Sequence, residues 1–243
     1  MKSVLPVAIA SLGLILAFLV LGNAYKYRFT STQNISVTGL SERDFSSDQI
    51  VWSGGYTRKN LDLKMAFSSL KSDEAMVKAY LIEKGVADSE MVFSAISIEK
   101  QFTDLYNVEG RVTGSEFTGY KLSQTVTVDS RNIDKVEKLS REVTGLIEQG
   151  IEFSSNAPSY YYSRLSELKV DLLAKASADA KLRAETIAGN AGSSLGDVRS
   201  ASMGVFQITG KNSNEDFSYG GVFNTSSRYK TASITIRMEF AAD

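Results

Sequence analysis

The sequence predicts an α+β fold, with antiparallel or mixed sheets packed against three main helices and an apolar helix ahead of them. Three observations carry this. Strand and helix patterns follow in the order ββα-ββ-α-β-α-ββ, with hairpin-compatible links in place of strict β–α alternation. Phe117 to Val128 alternates as a half-buried strand does: Tyr120, Leu122, Val126 and Val128 share one parity, interrupted only by Gln124. Leu172, Ala176, Ala180, Ala184 and Ala188 recur every four residues, a stripe of small side chains that lets a helix lie close to a sheet.

The chain opens on an apolar run. From Ser3 to Tyr25 no residue is charged, and Lys2 and Lys26 bracket the segment. About twenty such residues in a helix span the roughly 30 Å hydrocarbon core of a bilayer. Residues 1–26 are therefore read as a membrane anchor or export signal, entering the membrane through residues 4–21. The run is longer than a signal-peptide core, which favours an anchor. Gly22 and Ala24 leave cleavage after Ala24 as the alternative. Either way the rest of the chain is expected outside the cytoplasm. Residues 27–33 read as a short tether, and 34–243 as a single domain.

Within that domain, Asn34–Gly39 alternates as a strand. Ser47–Arg58 forms a second, with Ile50, Trp52 and Tyr56 inward and Gly54-Gly55 marking a bulge. Asn60 or Asp62 can cap a helix running to about Lys84, with Phe67, Leu70, Val77 and Leu81 as its apolar stripe and Gly85 beyond its end. Met91–Phe102 reads as a strand, with Val92 or Phe93, Ile96 and Ile98 as candidates for burial, and Thr103–Ser115 as a loop or hairpin. Asn132 or Ser130 can cap the next helix, which carries Ile133, Val136, Leu139, Val143 and Ile147 and closes at Gly150. Ile151–Tyr162 is expected as a strand and Arg164–Ala191 as the longest helix. Asp197–Thr209 and Tyr229–Phe240 are the last strands, joined by a polar, glycine-bearing and mobile Gly210–Ser227.

Composition narrows the chemistry. With 27 basic and 28 acidic residues the net charge is −1, and no basic stripe interleaves with aromatics, so nucleic acid is not an expected partner. Histidine and cysteine are both absent, which removes Ser-His-Asp and Cys-His nucleophile systems and most zinc, haem and iron–sulfur ligand sets.

Four constellations invite chemistry and fail on inspection. Ser68-Ser69-Leu70-Lys71, Ser130-Arg131-Asn132 and Lys230-Thr231-Ala232 imitate the ordered motifs of penicillin-recognising enzymes. Ser68 falls inside a helix rather than at its start, however, and Ala232 replaces the required glycine. Asn212, Asn214 and Asp216 are spaced like calcium-loop ligands, but Phe217 and Phe223 occupy the glycine and glutamate positions. Tyr160-Tyr161-Tyr162 offers a stacking platform, although alternate tyrosines of a strand face opposite sides and at least one belongs to the core. Asp73-Glu74 and Glu42/Asp44 read as surface charge. No catalytic, cofactor-binding or metal-binding residue is assigned.

A set of short segments resembles the SIMPL family of periplasmic immunogenic or oxidative-stress-defence proteins. The resemblance runs from Ile35-Ser36-Val37-Thr38-Gly39 through Leu81-Ile82-Glu83-Lys84-Gly85-Val86 and Gly119-Tyr120. It continues through Val126-Thr127-Val128 and the alanine helix to Leu195-Gly196-Asp197-Val198. It implies an exported or membrane-anchored α+β protein that self-associates, in some members into rings or channel-like assemblies, and that carries no established catalytic residues. The expected function is that of a non-catalytic envelope scaffold, a homo-oligomer linked to stress defence. The alternative is a ligand-binding or sensory ectodomain edged by Tyr160–Tyr162 or Gly210–Ser227, and less favoured again is a carboxylate-dependent hydrolase.

Overall fold

A computed structural model describes residues 4–30 and 34–242, with side chains described for 11–26 and 34–242. Four α-helices and ten strands follow in the order α1 (Val4–Thr30), β1 (Asn34–Ser46), β2 (Gln49–Asn60), α2 (Leu63–Glu83), β3 (Met91–Phe93), β4 (Ser97–Tyr106), β5 (Val112–Ser130), α3 (Ile133–Glu142), β6 (Phe153–Ser155), β7 (Ser159–Tyr161), α4 (Leu165–Asn190), β8 (Leu195–Met203), β9 (Gln207–Gly210) and β10 (Tyr229–Ala242). All pairings between these strands are antiparallel.

They form two lobes, each a sheet with helix on one face. In the first lobe β10 is central, flanked by β1 along its full length and by β8 and β9 on the other edge, with α4 laid across it. In the second, β2 and β5 are central. β3 and β4 share the outer edge of β5, β6 and β7 share that of β2, and α2 and α3 cover one face. The turn between β1 and β2 carries the chain from one lobe to the other.

α4 packs as the alanine spacing predicts. Leu168, Leu172, Ala176, Ala180, Ala184 and Ala188 are all buried. The helix sits so near β1 that a Cβ at Gly39 would overlap the Ala176 carbonyl and Ala180. In the second lobe Ile50, Trp52 and Tyr56 point inward as expected. Gly54-Gly55 makes no bulge, because the β2–β5 register runs through it unbroken. Gly54 instead leaves room for the Phe153 ring, which a Cβ would strike. That ring stacks between Trp52 (6.1 Å) and Tyr56 (6.2 Å).

Other expectations shift by one residue or one break, each for a local reason. On α2, Ala66 rather than Phe67 faces the sheet with Leu70, Val77 and Leu81, and Phe67 is exposed. Asp62 caps that helix by accepting from the Lys64 and Met65 N–H groups, and Asn132 caps α3 by accepting from the Lys135 N–H. After Val143 the chain tightens into a 3-10 turn over Val143–Gln149, whose three-residue period buries Leu146 and leaves Ile147 exposed.

The Met91–Phe102 strand divides into β3 and β4 where the register gains one residue, and the Ser94 hydroxyl accepts from the Thr125 N–H. Of its candidates for burial, Phe93 and Ile96 pack partly against the core, while Val92 and Ile98 are exposed. The Ile151–Tyr162 strand divides around Pro158, which has no N–H to give a ladder. Thr103–Ser115 is a hairpin whose arms extend β4 and β5.

α1 runs to Thr30 and so takes up Tyr27–Thr30 of the expected tether, while residues 31–33 lie outside the described residues. Among the described residues no helix is long and apolar enough to cross a membrane. The described side chains of α1, those of residues 11–26, are all exposed.

Candidate functional site

Several of the polar residues that the sequence singles out are structural in this fold. Asp73 is not surface charge. It is 1% exposed and receives both the Nε (2.5 Å) and the Nη2 (2.7 Å) of Arg58, a two-pronged pair that closes the open side of α2 against β2. Glu74 stays near the surface, bonded to Lys71. Asp44 is bonded to Lys211 and Thr231, which lower its carboxyl pKa, and Glu42 is exposed.

The imitation of a penicillin-recognising site comes apart in space. Ser68 is exposed within α2, and Lys71 is paired to Glu74. The Ser130 hydroxyl donates to Glu90 (2.6 Å) and accepts from the Asn132 N–H. Lys230 belongs to the other lobe, where its ammonium is buried and donates to the Tyr160 carbonyl at 2.6 Å. That burial holds the Lys230 pKa below the ordinary lysine value.

Tyr160 and Tyr162 divide between the two cores. Tyr160 is buried in the second lobe, and Tyr162 packs beside Phe45 (4.9 Å) in the first. They act as a seam with Lys230, with Arg228 on Asp134 and Glu137, and with the Asp48 carboxylate on the Ser163 N–H and hydroxyl.

Gly210–Ser227 is held in place, contrary to the expectation of a mobile link. The buried Gln207 amide donates to the Ser218 carbonyl and accepts from the Ser218 and Val222 N–H groups. Glu215 accepts from the Gly210 N–H, Asn224 and Ser213, and the first two of these hold its carboxyl below the usual range. Asn212, Asn214 and Asp216 are all exposed on this loop. Among the described residues no group of three acidic side chains could hold a metal.

This loop walls a groove of about 480 Å³ between Leu40, Val205, Phe217 and Tyr219, floored by Ser233–Thr235 of β10. Its lining is apolar with hydroxyls and contains no charged side chain. The Gln207 amide beneath it is already spent on the loop backbone. The groove offers a place for an apolar group but supplies no acid, base or nucleophile pair.

A second exposed feature is not singled out by the sequence. The outer parts of β4 and β5 form a two-stranded ribbon carrying Phe102, Leu105, Tyr106, Val108, Val112 and Phe117 in solvent. Phe102 meets Phe117 edge-on (5.7 Å), and Phe117 meets Tyr120 (5.1 Å) at the rim of the core. The apolar alternation of β4 is visible in its residues. That no helix covers it is not.

A comparison with curated proteins finds no match. A family model described as SIMPL, protein of unknown function (DUF541), matches residues 35–240, from the second residue of β1 to near the end of β10, and the chain belongs to the SIMPL family.

Proposed function

We propose that this chain is a non-catalytic, membrane-anchored protein of the bacterial envelope whose folded domain lies on the periplasmic side and self-associates into an oligomeric scaffold. One observation carries the reading: large apolar side chains stand uncovered in two separate places. Leu12, Leu14, Ile15, Leu16, Phe18 and Leu19 of α1 are each more than half exposed, within a run uncharged from Ser3 to Tyr25. By length alone the 27-residue α1, about 40 Å, reaches across a bilayer core of roughly 30 Å, and its apolarity is read from the sequence between Ser3 and Tyr25. On the folded domain, the β4–β5 ribbon exposes apolar surface of the kind that marks interaction sites. The absence of histidine and cysteine, and the structural use of Asp73, Glu90, Glu215 and Lys230, support a role without catalysis. A link to stress defence follows the family resemblance alone.

The test is fractionation of cells expressing the full chain. The protein should stay with membranes through an alkaline carbonate wash, and protease added outside spheroplasts should digest its folded domain. Recovery in the soluble fraction would remove the anchor, and protection from protease would reverse the orientation.

A ligand-binding ectodomain is the second reading, favoured by the groove at Leu40, Val205 and Phe217, whose volume suits a small apolar ligand. Saturable binding of an apolar fluorescent dye, abolished by Val205→Arg, would support it. Binding unaffected by that change would count against it.

A further inference from the structure

Self-association needs a surface, and β4 supplies a specific one. This inference rests on the reading of the chain as an oligomer. β4 pairs with β5 on one edge, and its other edge has no strand partner among the described residues. The two register irregularities of this hairpin fall on β5, where Thr118 and Thr113 are skipped, so β4 itself is a regular strand from Ser97 to Tyr106. The Leu105 carbonyl accepts from the Thr113 hydroxyl (3.1 Å), and the Asn107 N–H donates to Arg111 (3.0 Å), so the odd-numbered backbone groups face β5. By alternation the N–H and C=O groups of Ile98, Lys100, Phe102, Asp104 and Tyr106 face outward. An open strand edge of this length with apolar side chains is a template for another strand.

We propose that the second strand is β4 of another copy, laid antiparallel about a two-fold axis through Phe102. That register is self-complementary. It sets Phe102 against its own copy, Lys100 against Asp104, Asp104 against Lys100, and Ile98 against Tyr106 on both sides. Lys100 and Asp104 have no ion-pair partner within the protomer among the described residues, so both are available for this pairing. Directly opposed residues of antiparallel strands share a face, so these pairs form one row, with Phe117 beside Phe102. The other face sets Gln101 against Thr103 and Glu99 against Leu105, with no like charges opposed. Moving the axis one residue either way puts Lys100 opposite Phe102 or Tyr106 and loses both charge pairs. The contact is isologous, and it joins two hairpins into a four-stranded sheet.

The experiment measures self-association of the full chain in detergent by sedimentation velocity, with circular dichroism as the control for folding. K100D and D104K should each weaken association by about tenfold or more, because each opposes two like-charged pairs. An equimolar mixture of the two variants should recover it, since both carboxylates of a K100D copy then face both ammonium groups of a D104K copy. The K100D/D104K double variant should recover it as well. A covalent check uses the absence of native cysteine. F102C should oxidise to a disulfide dimer, because opposed Cα atoms lie about 5.5 Å apart, while K100C should not. Association unchanged in the single variants, or no recovery on mixing, overturns the β4 contact and leaves self-association standing through another surface. A wild-type chain that is monomeric overturns both.

Discussion

The two lobes fill the space between helix and sheet in opposite ways. In the first, α4 presents Ala176, Ala180, Ala184 and Ala188 to β1 and β10, and Gly39 brings backbone almost against backbone. In the second, the layer is built from Trp52, Tyr56, Phe153, Leu70, Leu81 and Leu122, and the glycine at 54 makes room for a ring rather than for a helix. Small residues set the helix–sheet distance in one lobe and large ones set it in the other. The first lobe is consequently sensitive to added volume and the second to lost volume.

The largest expected effect is in the aromatic lobe. Trp52→Ala removes the fully buried indole that stacks on Phe153 and bonds the Ser155 hydroxyl, and should cost about 3–5 kcal/mol in denaturant unfolding. A loss below about 1 kcal/mol would mean that the lobe collapses to fill the gap. Next comes Asp73→Ala, which strands Arg58 beside a buried site. Because the Arg58 side chain remains 32% exposed, it regains water, and the cost should be about 2 kcal/mol, less than for a fully buried pair. In the alanine lobe, Ala180→Leu should cost about 1–3 kcal/mol by forcing α4 off β1, whereas Ala180→Gly should cost about 1 kcal/mol through helix propensity. If enlargement were harmless and truncation severe, the contrast between the lobes would fail. Trp52 is the single tryptophan, so its fluorescence follows the second lobe while circular dichroism follows both.

The smallest effect concerns pH. The Gly210 N–H and Asn224 hold the Glu215 carboxyl below its ordinary value. Between the lowered folded value and the ordinary carboxylate value the unfolded chain binds more protons, so the Glu215 contribution is present above that window and is lost as pH falls through the folded value. Glu215→Gln should therefore show a smaller fall in unfolding midpoint between neutral pH and about pH 3.5 than the wild type. An identical fall in both would mean that Glu215 does not tie the Gly210–Ser227 loop.

How much of the fold is legible in the sequence follows from the range of each interaction. The alanine stripe and the inward parity of Ile50, Trp52 and Tyr56 are local patterns that the fold uses as read, and of the two cap candidates offered for each helix it uses Asp62 and Asn132. Gly54 reads as a bulge because the reason for it, Phe153, lies about a hundred residues on. Asp73 reads as surface charge because its partner Arg58 sits on a different element. Phe67 lies one residue from the buried face of α2, and Ile147 falls in the 3-10 turn after α3, whose tighter period buries Leu146 instead. The ribbon is half legible: its alternation is in the residues, but its lack of cover depends on where α2 and α3 come to rest. The motif imitation in the sequence comes apart because its polar groups are bonded elsewhere: Lys71 to Glu74, Ser130 to Glu90 and Lys230 to the Tyr160 carbonyl.

The central claim is that uncovered apolar surface on this chain exists to be covered by membrane and by further copies. Its most direct test is the absolute mass of the full chain in detergent, by light scattering with the detergent contribution subtracted. The account predicts a defined multiple of the 26.5 kDa protomer at micromolar concentration, reduced by K100D and restored when K100D is mixed with D104K. A mass of one protomer throughout that range would contradict it.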